Sequence, residues 1–243
     1  MADYTLIVPT ITTGNIPQLT IDLMLYTYDF VPMARLDSTY LYPFSGPLDS
    51  GNNISTKDDK NNNGVCTPIE AYRCDELKVV LIQQRSPIIA SYTKPFVEKV
   101  LVPFGIQFKR AVILSSSDFS IQADYAATNV HNGVGNCKFE WFESNELLPI
   151  AQLSLDETRE KYSYDSIYAN LLIELMLGSQ TELNLLLAFV YEGDNFNDAE
   201  ESARFLVHQL GLPKKDSFIK PKSWKGVYGD KKVPVAIEEG LFG

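Results

Sequence analysis

The stretch Leu183-Asn-Leu-Leu-Leu-Ala-Phe-Val190 is a nearly unbroken apolar run with the length of a β-strand. It is followed by the turn Tyr191-Glu-Gly-Asp-Asn195 and then by apolar residues three or four positions apart, at Ala199, Ala203, Leu206 and Leu210. A continuous apolar run predicts a strand buried on both faces, and the wider spacing predicts an amphipathic helix. We therefore expect a buried strand that feeds a helix, which is half of an α/β layer unit.

The same order of elements recurs along the chain. Further strands are predicted at 4–8, 31–36, 69–73, 79–83, 111–114 and 138–142. Further helices are predicted to begin at Asn15 and at Thr93 and to span Ile167–Leu177, and Gly178 and Gly211 are placed to end helices. This order predicts an α/β fold, a three-layer α/β/α sandwich with a mixed sheet, similar to nucleoside phosphorylase-like folds.

Length and composition favour one domain. The chain has 243 residues, of which 45% are hydrophobic and 21% are charged, and no Pro/Ser/Gly-rich linker divides it. The polar stretch 49–64 is interpreted as a mobile surface loop. We therefore expect a single α/β domain over residues 1–232, followed by a flexible C-terminal tail at 233–243.

Several function classes are disfavoured by the composition. No apolar run approaches the roughly 18 residues that a membrane span needs, so no membrane insertion is expected. The N-terminus shows no export signal, and three cysteines (Cys66, Cys74, Cys137) suit reduced thiols, which predicts a cytoplasmic or also nuclear protein. The net charge of −10 argues against nucleic-acid binding by the surface as a whole.

The charge is unevenly distributed. Seven lysines and two aspartates give the segment 213–232 a local charge of +5. This basic segment could meet an acidic partner surface, and it could equally be a solvated, mobile tail.

The turn Glu192-Gly193-Asp194-Asn195 follows the buried strand, at the edge where open α/β sheets usually keep their ligand crevices. A functional interpretation makes Glu192 or Asp194 a catalytic or ligand carboxylate. A structural interpretation, which we favour, is a capping turn with Gly193 at positive φ. Asp194, Asn195 and Asn197 all favour helix N-caps, and Asn197 and Glu200 have the spacing of a capping box.

Catalytic constellations are weak. The two histidines, His131 and His208, do not form a metal pair, and no Cys-x-x-Cys motif is present. The turn Thr13-Gly14-Asn15 lacks the spaced glycines and lysine of a phosphate loop. The predicted strand-end turn Ser115–Asp118 lacks a hydrolase elbow, so a phosphorylase- or hydrolase-like enzyme that uses 115–118 and 192–195 remains only an alternative. We expect no cofactor and no metal.

Several blocks resemble the proteasome assembly chaperone 2 family. They are Pro9–Asp22, which contains Gly14-Asn15; Gln83-Gln-Arg-Ser-Pro87; Phe189–Asn195; and Ser223–Gly229, which contains Trp224. Leu36–Leu41 and Gly46–Asp49 are similar to the fungal branch. The blocks cover nearly the whole chain. Gly14, Asn15, Glu192, Gly193, Asp194, Asn195 and Trp224 are interpreted as structural members of the shared motifs.

The resemblance implies a non-catalytic role. Members of this family are expected to pair with a related chaperone of the proteasome assembly chaperone 1 type. The heterodimer is expected to bind the outer face of the ring of proteasome α subunits, to keep assembly on pathway and to block premature binding of regulators.

The family's C-terminal tails end in a hydrophobic residue, tyrosine and any residue, and insert between α subunits. The corresponding residues are Leu241-Phe242-Gly243. Phe242 stands in place of the tyrosine and lacks its hydroxyl, whose hydrogen bond is worth about 1 kcal/mol. An aliphatic and an aromatic side chain at a free end can still act as anchors in a pocket.

Overall fold

The computed structural model describes residues 1, 3–47, 65–119, 138–147 and 167–225, and in these the chain forms one large sheet. Its strands are β1 (Thr5–Pro9), β2 (Val31–Arg35), β5 (Ile69–Cys74), β6 (Val79–Gln84), β7 (Arg110–Asp118), β8 (Phe139–Glu143) and β9 (Glu182–Val190). Two short strands, β3 (Gly46–Pro47) and β4 (Val65–Cys66), pair separately.

Four long helical segments accompany the sheet in the described residues. They are α1 (Ile16–Thr27); α2, which runs through Thr93–Phe96, a π-helical segment Val97–Leu101 and Val102–Gly105; α3 (Ile167–Leu177); and α4 (Phe196–Gln209). The end of α3 at Leu177 matches the prediction, and α4 begins at Phe196, as the apolar spacing after the turn predicts.

The sheet has the strand order β2-β5-β6-β1-β7-β9-β8. Neighbours among β6, β1, β7 and β9 are parallel, whereas β2, β5 and β8 join as antiparallel strands. Strands β7 and β9 pair along their full length, from Arg110 opposite Glu182 to Asp118 opposite Val190. In β2 the pairing register shifts between Pro32 and Ala34, which marks a β-bulge. The mixed sheet predicted from the sequence is confirmed.

Two hydrophobic cores lie on opposite faces of this sheet. In β7, Val112 and Leu114 belong to the core covered by α1 and α4, whereas Ala111 and Ile113 belong to the core covered by α2 and α3. Successive residues of a strand point to opposite faces, so a strand buried on both faces is largely apolar along its length. This explains the apolar run of β9 and confirms the three-layer sandwich.

One boundary prediction was wrong. Ser115–Asp118 continue β7 and do not form a turn. The three serines are each at most 2% exposed, and all four residues pair with β9. Hydroxyl side chains favour turns only weakly, and here the backbone pairing with β9 outweighs that preference.

The start of α4 also differs from prediction. Gly193 is absent from the residues with positive φ, so the predicted left-handed turn is wrong. Asn195 is the N-cap residue but makes no side-chain capping bond, and Asp194 Oδ1 accepts a hydrogen bond of 3.4 Å from the Phe196 N–H. Asn197 lies inside the first turn, so it does not form a capping box with Glu200.

The end of α4 follows the prediction. Gly211 has φ of 63°, its N–H donates to the His208 carbonyl at 3.1 Å, and the Leu212 N–H donates to the Val207 carbonyl at 2.9 Å. These two bonds form a Schellman motif, which satisfies carbonyls that the helix leaves unpaired.

Other predictions fall on residues that the structure does not describe. They concern the polar stretch 49–64, His131, Cys137, the residues 226–232 of the basic segment, and the tail 233–243 with Leu241, Phe242 and Gly243. Among the described residues, no helix is long and apolar enough to cross a membrane.

Candidate functional site

The turn after β1 is bonded to β7 at the carboxyl edge of the sheet. The Ser116 N–H donates to Thr12 Oγ1 at 3.0 Å, and the two hydroxyl oxygens are 2.8 Å apart. Ser116 Oγ also donates to the Thr13 carbonyl at 2.5 Å, so the Thr12 hydroxyl is the donor between the two side chains. The polar strand end of β7 therefore holds the backbone of the Thr13-Gly14-Asn15 turn.

That turn needs a glycine. Gly14 has φ of 69°, and a Cβ built on it would lie 2.0 Å from Asn195 Nδ2. Asn195 is only 6% exposed, so its amide cannot simply move into solvent. Two turns that carry the family resemblance, Gly14-Asn15 and Glu192–Asn195, thus contact each other through Gly14 and Asn195.

Trp224 packs at the beginning of α4, on the residue that follows Asn195. Its ring stacks on Phe196, the first residue of α4, with the ring centroids 4.6 Å apart and the planes inclined by 22°. Three separate sequence blocks therefore meet at one turn, which we call the motif junction: Gly14, Asn195, Phe196 and Trp224. Asn15 adopts a left-handed conformation with φ of 52° at the N-cap of α1.

We expect Trp224→Ala to lower the free energy of unfolding by about 1–2 kcal/mol, because it removes the stacked ring and exposes Phe196. Trp224→Phe keeps a ring in the stack and should recover most of this loss. Urea denaturation of both variants measures the difference. A Trp224→Ala protein as stable as the parent would show that the stack contributes nothing.

The predicted carboxylates do not converge with a base. Glu192, Gly193 and Asp194 are all exposed, and a Cβ on Gly193 would meet nothing within 4 Å. Ser115 and Ser117 point to the face opposite Ser116, and their buried hydroxyls have no hydrogen-bond partner among the residues that the structure describes. In the described part of the chain, no three His, Cys, Asp or Glu residues are placed to hold a metal ion. His208 is exposed in the last turn of α4.

A buried polar network, which sequence analysis missed, lies at the end of β6. Gln83 Nε2 donates to Asp22 Oδ1, and the same oxygen lies 3.5 Å from Arg85 Nη1. Burial disfavours the charge on Arg85 and is the largest single effect, but Asp22 together with Tyr26, Tyr72 and Cys66 outweighs it, so the pKa of the guanidinium is raised. The signal in the sequence was the polar run Gln83-Gln-Arg85, which ends an otherwise apolar strand.

The network continues on both sides of β6. Gln84 points to the other face, where its Oε1 accepts a hydrogen bond of 3.1 Å from the buried Tyr168 hydroxyl of α3. On β5 the Tyr72 hydroxyl donates to Glu70 Oε2 at 2.7 Å, and burial together with that carboxylate raises the pKa of Tyr72. The block Gln83–Pro87 therefore joins the two helix layers to the sheet.

The fold and its polar edge define an α/β sandwich domain in which Gly14 packs against Asn195 and Trp224 stacks on Phe196, with no convergent catalytic set among the described residues. The chain belongs to the PAC2 family, whose model matches residues 6–174.

Proteins of known name support the assignment. The chain is 26% identical to proteasome assembly chaperone 2 of Saccharomyces cerevisiae, over 92% of this chain and 94% of that protein. It is also 26% identical to proteasome assembly chaperone 2 of Mus musculus, over 94% and 93%. Both names are those of chaperones and not of enzymes, and the resemblance expected from the sequence is confirmed.

A solved structure supports the fold. The crystal structure of Pyrococcus furiosus PbaA, an archaeal homologue of proteasome-assembly chaperone, matches with a TM-score of 0.58 and 13% identity. The match covers 88% of this chain and 80% of that chain.

Proposed function

We propose that this protein is a non-catalytic assembly chaperone of the proteasome core particle. The observation that carries the proposal is the match to two chaperones of that name over more than nine-tenths of each chain. The motif junction adds structural support, because three of the blocks that resemble the family meet there through Gly14, Asn195 and Trp224. No cofactor is required.

The proposed mode of action is recognition of a ring by shape. The chain pairs with a related chaperone of the proteasome assembly chaperone 1 type, and the heterodimer binds the outer face of the α-subunit ring. Bound there, it keeps α subunits on pathway and covers the face that regulators would otherwise occupy. Affinity purification of the full chain, followed by identification of co-purifying proteins, tests this. Both a related chaperone and α subunits should be recovered, and recovery of neither would refute the proposal.

The C-terminal residues Leu241-Phe242-Gly243 are proposed to insert between neighbouring α subunits. Leu241 and Phe242 supply apolar anchors, and a terminal carboxylate can pair with a lysine of the pocket. The remainder of the contact is then made by the folded domain, so the tail contributes only part of the affinity.

Replacing Leu241 and Phe242 together by serine should weaken binding to α subunits about tenfold, which corresponds to about 1.4 kcal/mol. Chain length and terminal charge stay the same, so the change reports the two anchors alone. Isothermal calorimetry of the chaperone pair with α subunits measures the loss. Formation of the pair itself should be unchanged, and an unaltered affinity for α subunits would refute the role of the tail.

A further inference from the structure

A concavity of about 450 Å³ lies between the C-terminal half of α4 and the segment 214–218 that follows it. Its basic side chains are Arg204, His208, Lys214 and Lys215, and its floor is formed by Val207 and Phe218. We call this feature the basic concavity. It lies on the face of the sheet that α1 and α4 cover.

The walls of the basic concavity are fixed to the domain. The Tyr28 hydroxyl donates to the Pro213 carbonyl at 2.7 Å, and the Ile219 N–H donates to Thr27 Oγ1 at 2.9 Å. Phe218, between these two anchors, is 8% exposed and belongs to the hydrophobic core. This part of the basic segment is therefore a built surface, and the alternative of a mobile tail does not hold for it.

Two of the basic side chains are available to a ligand. Arg204 is already bonded to Glu200 Oε1 at 2.7 Å and to the Asp216 carbonyl at 3.4 Å. Lys214 and Lys215 are exposed, and within the described residues neither forms an ion pair, although Lys215 Nζ lies 5.6 Å from the centre of the Tyr28 ring.

Two features oppose an anion here. The Asp216 side chain lines the concavity, and the C-terminal end of α4 carries about half a negative charge. Lys214 and Lys215 carry two positive charges, which exceed the sum of these at about one and a half negative charges, and the paired Arg204 and Glu200 cancel each other. The local charge is therefore positive, on a protein whose net charge is −10.

We infer that the basic concavity binds an acidic peptide segment of a partner protein, with carboxylates placed against Lys214 and Lys215. A short peptide can place its charges within the concavity, whose apolar floor of Val207 and Phe218 limits competition from water. A nucleic acid carries charge continuously along its backbone and would extend over the acidic remainder of the surface, so it is disfavoured.

This inference does not depend on the proposed function. The concavity is built from the described residues of α4 and the segment after it, whereas the proposed ring contact uses Leu241 and Phe242. The double serine variant at those two positions should bind an acidic peptide as the parent does, so the failure of one proposal can be told from the failure of the other.

The test is fluorescence anisotropy of a fluorescein-labelled, glutamate-rich peptide with the full chain. Binding should saturate, and Lys214→Glu combined with Lys215→Glu should weaken it by at least about tenfold, because two attractions become repulsions. Lys99→Glu combined with Lys109→Glu makes the same change of net charge at two exposed positions, one in α2 and one directly before β7. That control should change the affinity by no more than about twofold, since exposed charges beyond a Debye length are screened.

Raising the salt concentration from about 0.1 M to about 1 M should weaken peptide binding strongly, because it shortens the Debye length from about 10 Å to about 3 Å. Equal losses in the two double variants would show that net charge alone attracts the peptide and would overturn the inference. Absence of saturable binding, or tighter binding of a single-stranded oligonucleotide at the same lysines, would overturn it as well.

Discussion

We expect Gly14→Ala to lower the free energy of unfolding by about 2–4 kcal/mol, the sum of a left-handed backbone penalty of about 1–2 kcal/mol and the repacking of a close contact. The conformation at Gly14, with φ of 69°, is one that alanine adopts only with strain. The added Cβ would also fall 2.0 Å from Asn195 Nδ2, which is buried against it. Urea denaturation monitored by circular dichroism measures the loss.

Gly193→Ala is the matched control for Gly14→Ala. Both glycines lie in turns that resemble the family, but Gly193 lacks positive φ and a Cβ there would meet nothing within 4 Å. The control should change stability by less than about 0.5 kcal/mol. Adding Asn195→Ala to Gly14→Ala removes the close contact and should recover the repacking part of the loss, leaving the backbone part. Equal effects of the two glycine substitutions would show that the motif junction is not tightly packed.

Asp22→Ala should lower the free energy of unfolding by about 3 kcal/mol, because it leaves the largely buried guanidinium of Arg85 without its counter-charge. The Arg85 side chain is 19% exposed and that of Asp22 is 12% exposed, so water can replace little of the lost interaction. The same change removes the acceptor of the Gln83 amide. Asp22→Asn keeps that acceptor and should lose less.

An exposed ion pair provides the comparison. Glu98 pairs with Lys94 at 3.6 Å on α2, where both side chains are exposed, and Glu98→Ala removes the same charge as Asp22→Ala. This control should change stability by no more than about 0.5 kcal/mol. The contrary result is that Asp22→Ala lowers the free energy of unfolding no more than Glu98→Ala does. In that case the buried network would provide no net stability, and its role would be to align β6 with α1.

The fold was largely predictable because its main elements have local causes. The apolar run at Leu183–Val190 and the spacing that follows it gave β9 and α4, and Gly211 gave the end of α4. The strand order was not predictable, because hydrogen bonds between strands distant in sequence decide it. The extension of β7 through Ser115–Asp118 has the same origin, since pairing with β9 outweighs the residues' own preferences.

The residues of the candidate site were predicted from the sequence, but their convergence at one position in the fold was not. Gly14, Asn195 and Trp224 were each assigned a structural role from the resemblance, and their convergence at the motif junction could not be foreseen because Gly14 is far from the other two in the sequence. The Asp22–Arg85 pair was missed for the same reason, since the two residues are far apart in the sequence. The tail residues Leu241–Gly243 remain a prediction that binding measurements must test.

The bulge in β2 has a consequence for how the protein behaves when it is concentrated. This strand ends the described sheet, and an open strand edge is a template on which other chains can add. Pro32 has no N–H to offer, and the register shift between Pro32 and Ala34 distorts the row of pairing groups. These two features disfavour the addition of further chains at that edge, which helps a chaperone to avoid self-association before it binds other proteins.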